Sequence, residues 1–298
     1  MGKTYNKFGL IMCGALSALL IGAPAGAQTT TFTATYKANS SGTSCTATDN
    51  INGVEPSASG KYPVFLYMVG TTESSTNASA EAAIKDMASR GFVAGTIQYA
   101  SGSFGNCSQI SAKAQCIFNP NSTTSAVETL CSRAKADCSK GIVVGGFSQG
   151  AVIATLAKNF DSRVQAAWGM GDGVMYSTFN LSSCMANGKR TLTSDRLRAV
   201  NGQGDQFTGS SQSAQQTNMQ SLTGFTCPTG SFTCLQSNGS GWIIVQNGQT
   251  KSGTADHCYM RNGGCNTSQN SLDANWQNGS DNWEINANLN WLSGFVTH

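Results

Sequence analysis

Residues 142–158 read Ile142-Val143-Val144-Gly145-Gly146-Phe147-Ser148-Gln149-Gly150-Ala151-Val152-Ile153-Ala154-Thr155-Leu156-Ala157-Lys158. A short β-branched run of the kind that forms a buried strand meets a good helix-forming run, Ala151 to Lys158, across a turn rich in glycine. Gly146-Phe147-Ser148-Gln149-Gly150 fits Gly-x-Ser-x-Gly. In a chain with 34 glycines and abundant serine, that pentad arises readily by chance. Its context makes it specific. A nucleophile elbow needs a strand entering, a tight turn and a helix leaving, so that the serine hydroxyl stands out at the edge of a sheet. The glycines are required because side chains there would strike the strand and helix packed against the turn.

Working outward, strand-like and helix-like segments alternate, as in a mostly parallel sheet covered by helices. Strands are expected at 32–36, 63–69, 92–99, 142–144, 164–168, 196–201 and 242–245. Pro63-Val64-Phe65-Leu66-Tyr67-Met68-Val69 is nearly all apolar, as a strand buried on both faces would be. Helices are expected at about 79–90, 123–136, 151–158, 210–222 and 281–296, the first with Ala83, Ile84 and Met87 at helical spacing and Gly91 as its stop. A Ser/Gly-rich loop holding Cys107 and Cys116 is expected between the strand at 92–99 and the helix at 123–136. No repeats or stiff linkers interrupt the pattern. The expected fold class is α/β: an α/β-hydrolase fold with a mostly parallel central sheet flanked by helices, stabilised by disulfides. Fewer than thirty residues separate strands 164–168 and 196–201, leaving space for a small lid at most.

A serine nucleophile needs a neighbour that accepts its proton near neutral pH, and histidine is the usual one. The chain has only two histidines, and His298 is the final residue. His257, after the last apolar strand and before the closing helix, is the expected base. In this chain order the acid falls between serine and histidine, among Asp161, Asp172, Asp195, Asp205 and Asp256. Asp205 follows a strand through Gly202-Gln203-Gly204, at the carboxyl edge where catalytic groups gather in open α/β sheets. It is preferred, with Asp172 in Gly171-Asp172-Gly173 as runner-up. An oxyanion hole needs two fixed donors. The expected pair is Gln149, the residue after the nucleophile, and Thr71, in the Gly70-Thr71-Thr72 loop after strand 63–69.

Bulk properties narrow the class. Charged residues make up 11%, against about 25% in ordinary soluble domains, and amides and hydroxyls take their place. The formal charge is +3. Two of those positives, Lys3 and Lys7, fall in the first 27 residues, so the rest is near +1 (3 − 2). That is no field for nucleic acid or anionic membranes. Lys3 and Lys7, the apolar run Phe8 to Ile21, and Ala25-Gly26-Ala27 read as a signal peptide over 1–27, with 28–298 as one catalytic domain, secreted to the extracellular space or periplasm. No later run is long and apolar enough for a membrane span.

Setting Cys13 aside leaves ten of the 11 cysteines, an even number that suggests five disulfides in an exported chain. Neighbours in sequence suggest Cys107–Cys116, Cys227–Cys234 and Cys258–Cys265. Cys131–Cys138 fits only if the helix at 123–136 ends early, because seven helical residues separate two Cα atoms by about 10.5 Å. Neither CxxC pairs nor a histidine cluster suggest a metal site, and no cofactor is expected.

Gly145-Gly146-Phe147-Ser148-Gln149-Gly150-Ala151 resembles the elbow of cutinases and related secreted esterases, which usually carry tyrosine where Phe147 stands. Cutinases hold their acid between two cysteines spaced like Cys227 and Cys234. This chain has Gly230-Ser231 at that place, which moves the acid to Asp205 and marks a distinct branch. The resemblance implies hydrolysis of a carboxylic ester, small or polymeric, through an acyl-enzyme and without a cofactor. Export points to an external substrate, and a monomer is the expectation, although the oligomeric state is not read from the sequence. Alternatives are another reaction of the same fold (thioesterase, peptidase, acyltransferase) or a secreted binding protein with a silent site.

Overall fold

A computed structural model describes residues 1–2, 28–41 and 44–298. The expected signal peptide over 1–27 lies, except for its first two residues, outside the described residues. The strands are β1 (Thr29–Ser41), β2 (Ser44–Pro56), β3 (Val64–Met68), β4 (Val93–Ile97), β5 (Ile142–Phe147), β6 (Val164–Met170), β7 (Met175–Tyr176), β8 (Phe179–Asn180), β9 (Leu197–Gly202), β10 (Thr233–Leu235) and β11 (Gly241–Val245). The helices are α1 (Ala78–Ser89), α2 (Cys107–Phe118), α3 (Ala126–Cys131), α4 (Gln149–Leu156), α5 (Ser182–Met185), α6 (Gln212–Thr223), α7 (Ala274–Asn278) and α8 (Ile285–Ser293).

Nine strands form one sheet in the order β1-β2-β4-β3-β5-β6-β9-β11-β10. From β4 to β11 all neighbours are parallel. Within this sheet, antiparallel pairing is confined to the β1–β2 hairpin, its junction with β4, and β10 on β11; β7 and β8 form a separate antiparallel pair. Helices α1, α7 and α8 pack on one face; α2 to α6 pack on the other. Every residue of β3, β5 and α4 is buried, so the core runs through the centre of the sheet and under the helix that follows Ser148. The chain has the α/β-hydrolase fold. Between β6 and β9 lie the β7–β8 hairpin, the four residues of α5 and a single 3-10 turn at Ser194–Arg196, a short interval as expected.

Three expectations need correction. The loop holding Cys107 and Cys116 is the helix α2, whose N-terminus has a reciprocal capping box between Asn106 and Gln109. Cys107 and Cys116 therefore sit at opposite ends of one helix, about 13.5 Å apart at 1.5 Å per residue, and cannot pair. The disulfides are Cys45–Cys116, Cys107–Cys184, Cys131–Cys138, Cys227–Cys234 and Cys258–Cys265. Thirdly, the helix expected over 123–136 is only α3; because it ends at Cys131, the Cα atoms of Cys131 and Cys138 come within 5.6 Å. The strand expected at 32–36 is the middle of a 13-residue strand paired with β2.

Candidate active site

Ser148 lies between β5 and α4 with φ 53° and ψ −120°, a conformation that L-residues rarely adopt and that strain-bearing functional turns retain. The neighbouring glycines show why the turn holds. A Cβ on Gly146 would come within 2.4 Å of the Gly150 backbone, and one on Gly150 within 2.1 Å of the Met68 carbonyl oxygen. Helix α4 thus lies directly on β3 and β5, and the serine projects where they end.

His257 follows β11 on a loop that Asp256 organises. The two carboxylate oxygens of Asp256 accept from the Cys258 and Cys265 N–H groups, 2.8 Å each, across the Cys258–Cys265 disulfide. Asp256, Cys258 and Cys265 lie close enough together to be considered as cation ligands. With both sulfurs in the disulfide and both carboxylate oxygens engaged, they fit no metal. His257 Nδ1 is 2.7 Å from Asp205 Oδ2. Donation from Nδ1–H to the carboxylate leaves Nε2 with a free lone pair. The imidazole is wedged between the Phe147 and Phe207 rings, with centroids at 4.8 and 4.7 Å. Gly171 backs it so closely that a Cβ there would lie 2.6 Å from His257 Cε1.

Asp205 is fully buried, and its Oδ1 accepts from the N–H groups of Phe207 and Thr208 at 2.9 and 3.1 Å. Burial is the largest single influence and opposes ionisation. The His257 charge and hydrogen bond, with the Phe207 and Thr208 donors, outweigh it and hold the carboxyl below its ordinary value. The runner-up, Asp172, sits under α4 instead. It accepts from Thr155 Oγ1 (2.7 Å) and the Gly173 N–H (2.8 Å), and burial pushes its pKa up to about 6.

Ser148, His257 and Thr71 line one cavity of about 680 Å³. Phe104, Tyr176 and Phe179 form an aromatic cluster on its wall, with centroids 4.6 and 5.3 Å from the Phe104 ring. Gln149 turns its side chain from the cavity into the interior. Its Nε2 donates to Thr71 Oγ1 (3.1 Å) and the Ser103 carbonyl (2.8 Å), and its Oε1 accepts from Lys113 Nζ (2.9 Å). Across the cavity floor, Arg261 is ion-paired with Glu73. Glu73 Oε2 also accepts from the Gly70 N–H at 2.7 Å and Asn77 Nδ2 at 3.2 Å. Burial pushes the Glu73 carboxyl up, against the pull of Arg261 and the Gly70 N–H.

Sequence reading brought Ser148, Asp205, His257, Thr71 and Gln149 forward, and all five lie at this end of the sheet. It missed Lys113, Glu73, Arg261 and the aromatic wall. For Lys113 a signal existed: a lone lysine among Ile110, Ala114 and Ile117, the buried face of α2.

The sequence matches no protein-family model and no curated protein. Among solved structures it is similar to the esterase Est22, 14% identical with a TM-score of 0.39 over 59% of this chain and 65% of that one. It is also similar to a brefeldin A esterase, described as a bacterial homologue of human hormone-sensitive lipase (13%, TM-score 0.40, 63% and 64%). A hypothetical protein from Pseudomonas aeruginosa is a third (15%, TM-score 0.38, 55% and 48%). In none of the three does the matched part reach two-thirds of that protein's length.

Proposed function

We propose that the protein is a secreted serine hydrolase that cleaves carboxylic esters, with residues 28–298 as its catalytic domain. One observation carries the reading: Ser148, on a strained turn, opens into the same cavity as a histidine whose far nitrogen is bonded to a buried carboxylate. In the reaction, Ser148 Oγ attacks the ester carbonyl carbon while His257 Nε2 takes the hydroxyl proton. The carbonyl oxygen becomes an oxyanion facing the N–H of Gln149 and a donor from Thr71. Collapse breaks the bond to the alcohol, which leaves with the proton from His257, and water releases the acid by the same steps. Asp205 holds the imidazole in one tautomer and stabilises its charged form. The aromatic wall suits an uncharged, apolar portion of the ester, and the five disulfides suit an oxidising compartment.

The test is hydrolysis of p-nitrophenyl esters from C2 to C16 by residues 28–298 and by Ser148→Ala. Turnover by the first and a loss on the order of 10⁴–10⁶ in the second is expected. Comparable rates for both, or no fluorophosphonate labelling of Ser148, would sink the reading.

A further inference from the structure

We propose that Lys113 is a positioning residue of this site, holding through the Gln149 side chain the arrangement of donors that receives the oxyanion. The inference rests on the ester-hydrolase reading above. Lys113 Nζ lies 2.8 Å from the Ser103 carbonyl oxygen and 2.9 Å from Gln149 Oε1. A carboxamide can point either end at a neighbour. With a cation fixed on its oxygen, the Gln149 amide must present its NH₂ to Thr71 and Ser103, where the structure has it. The Thr71 hydroxyl accepts that bond and keeps its own proton to donate. Lys113 thus couples the loop after β3 to the first residue of α4, the two segments expected to supply the oxyanion donors.

Stability does not account for the lysine. It is 6% exposed, and among the described residues no carboxylate forms an ion pair with it. Burying an unpaired ammonium is unfavourable, and burial pulls its pKa down to about 8. It also sits beside the N-terminus of α4, the end of a helix that disfavours positive charge. Both penalties diminish when a negative charge appears nearby, and the acyl-transfer oxyanion is such a charge. A cation there favours the transition state over the resting enzyme.

The test compares Lys113→Met, Lys113→Gln and Lys113→Arg in kcat, KM, melting temperature and affinity for an aryl trifluoromethyl ketone, whose adduct with serine carries the oxyanion. Lys113→Met and Lys113→Gln should lose about ten- to a hundredfold in kcat, below the loss for deleting a direct donor. KM should stay within about twofold, and ketone affinity should weaken in step with kcat. Lys113→Arg should recover most of the activity, and Lys113→Met should combine non-additively with Gln149→Met. Wild-type kcat and ketone affinity in both uncharged variants would overturn the proposal, as would losses explained by a lowered melting temperature that Lys113→Arg does not rescue. If one uncharged variant fails to fold, the other with Lys113→Arg decides. Should the wild type hydrolyse no ester, the underlying reading fails instead; turnover lost in Ser148→Ala but kept in the lysine variants rejects this inference alone.

Discussion

Arg261, on the loop that carries His257, is ion-paired with Glu73, on the loop that follows β3, and the two side chains are 8% and 2% exposed. One pair thereby locks the proposed base loop to the proposed oxyanion loop, and Glu73 tightens the second by accepting from the Gly70 N–H. A buried pair is seldom a large net source of stability, but breaking it leaves a lone charge in the interior.

Glu73→Gln is therefore expected to lower unfolding free energy by about 3–5 kcal/mol. Replacing both partners, as Glu73→Leu with Arg261→Met, should lower it less than Glu73→Gln alone. Urea unfolding of the two proteins checks this; a double variant as unstable as the single one would contradict it.

Asp205→Asn should lower kcat by about 10⁴, because an asparagine offers the imidazole the wrong partner while keeping its shape. Asp172→Asn should leave kcat close to wild type, since its carboxylate meets Thr155 and Gly173, not His257. Ester turnover at neutral pH separates the two aspartates, and the opposite ranking would reassign the acid.

The same Asp172 predicts a pH dependence of stability. Its folded pKa, about 6, lies above the 3.8 of an unperturbed aspartate, so the folded state binds the proton more tightly. The stabilisation this gives is full below pH 4 and is lost as pH rises through 6. Stability relative to Asp172→Asn should fall by about 3 kcal/mol across that window. Denaturation midpoints of both proteins from pH 4 to 7 measure it; a constant difference would show that the carboxyl titrates normally.

What the sequence disclosed depended on how local each signal was. The elbow and its flanking strand and helix occupy consecutive residues, the proposed base had only one rival histidine, and the proposed acid Asp205 stands just past a strand end. Those could be read directly. Strand β2 could not: Ser-Cys-Thr-Ala-Thr-Asp-Asn-Ile-Asn-Gly has little β-forming character, and what holds it is pairing with β1, with Phe32 lying flat over Gly53. Helix α2 was legible in principle, through Asn106 and Gln109 and the spacing of Ile110, Ala114 and Ile117. Its serines and glutamines masked the pattern, and the error carried over to Cys107 and Cys116. Glu73 and Arg261, separated by 188 residues, left no local trace of their pairing.

The disulfides should differ in weight. Cys107–Cys184 spans 77 residues and Cys131–Cys138 spans 7. In the chain-entropy account, closing the longer loop removes about 4.5 kcal/mol of unfolded-state freedom and the shorter about 2.4. Cys107→Ala with Cys184→Ala should thus lower stability by about 2 kcal/mol more than Cys131→Ala with Cys138→Ala. It should also loosen the aromatic wall, because this bridge ties α2, just after Phe104, to α5, just after the β7–β8 hairpin. Equal losses in the two double variants, measured by denaturation under oxidising conditions, would count against the entropic account.

The elbow glycines give the sharpest contrast. Gly150→Ala would drive a methyl to within 2.1 Å of the Met68 carbonyl oxygen and 2.5 Å of that of Val69. These are backbone atoms of the last residue of β3, a central strand paired on both sides, and of the residue just after it, and they cannot yield as a side chain would. The variant is expected to fold poorly or to lose several kcal/mol, at the upper end for a single substitution. Gly248→Ala meets nothing within 4 Å and should change stability by less than about 0.5 kcal/mol. Soluble yield and thermal melts of the pair test the elbow's packing independently of any activity. A well-folded Gly150→Ala protein with wild-type stability would mean that α4 does not lie as close to β3 as described.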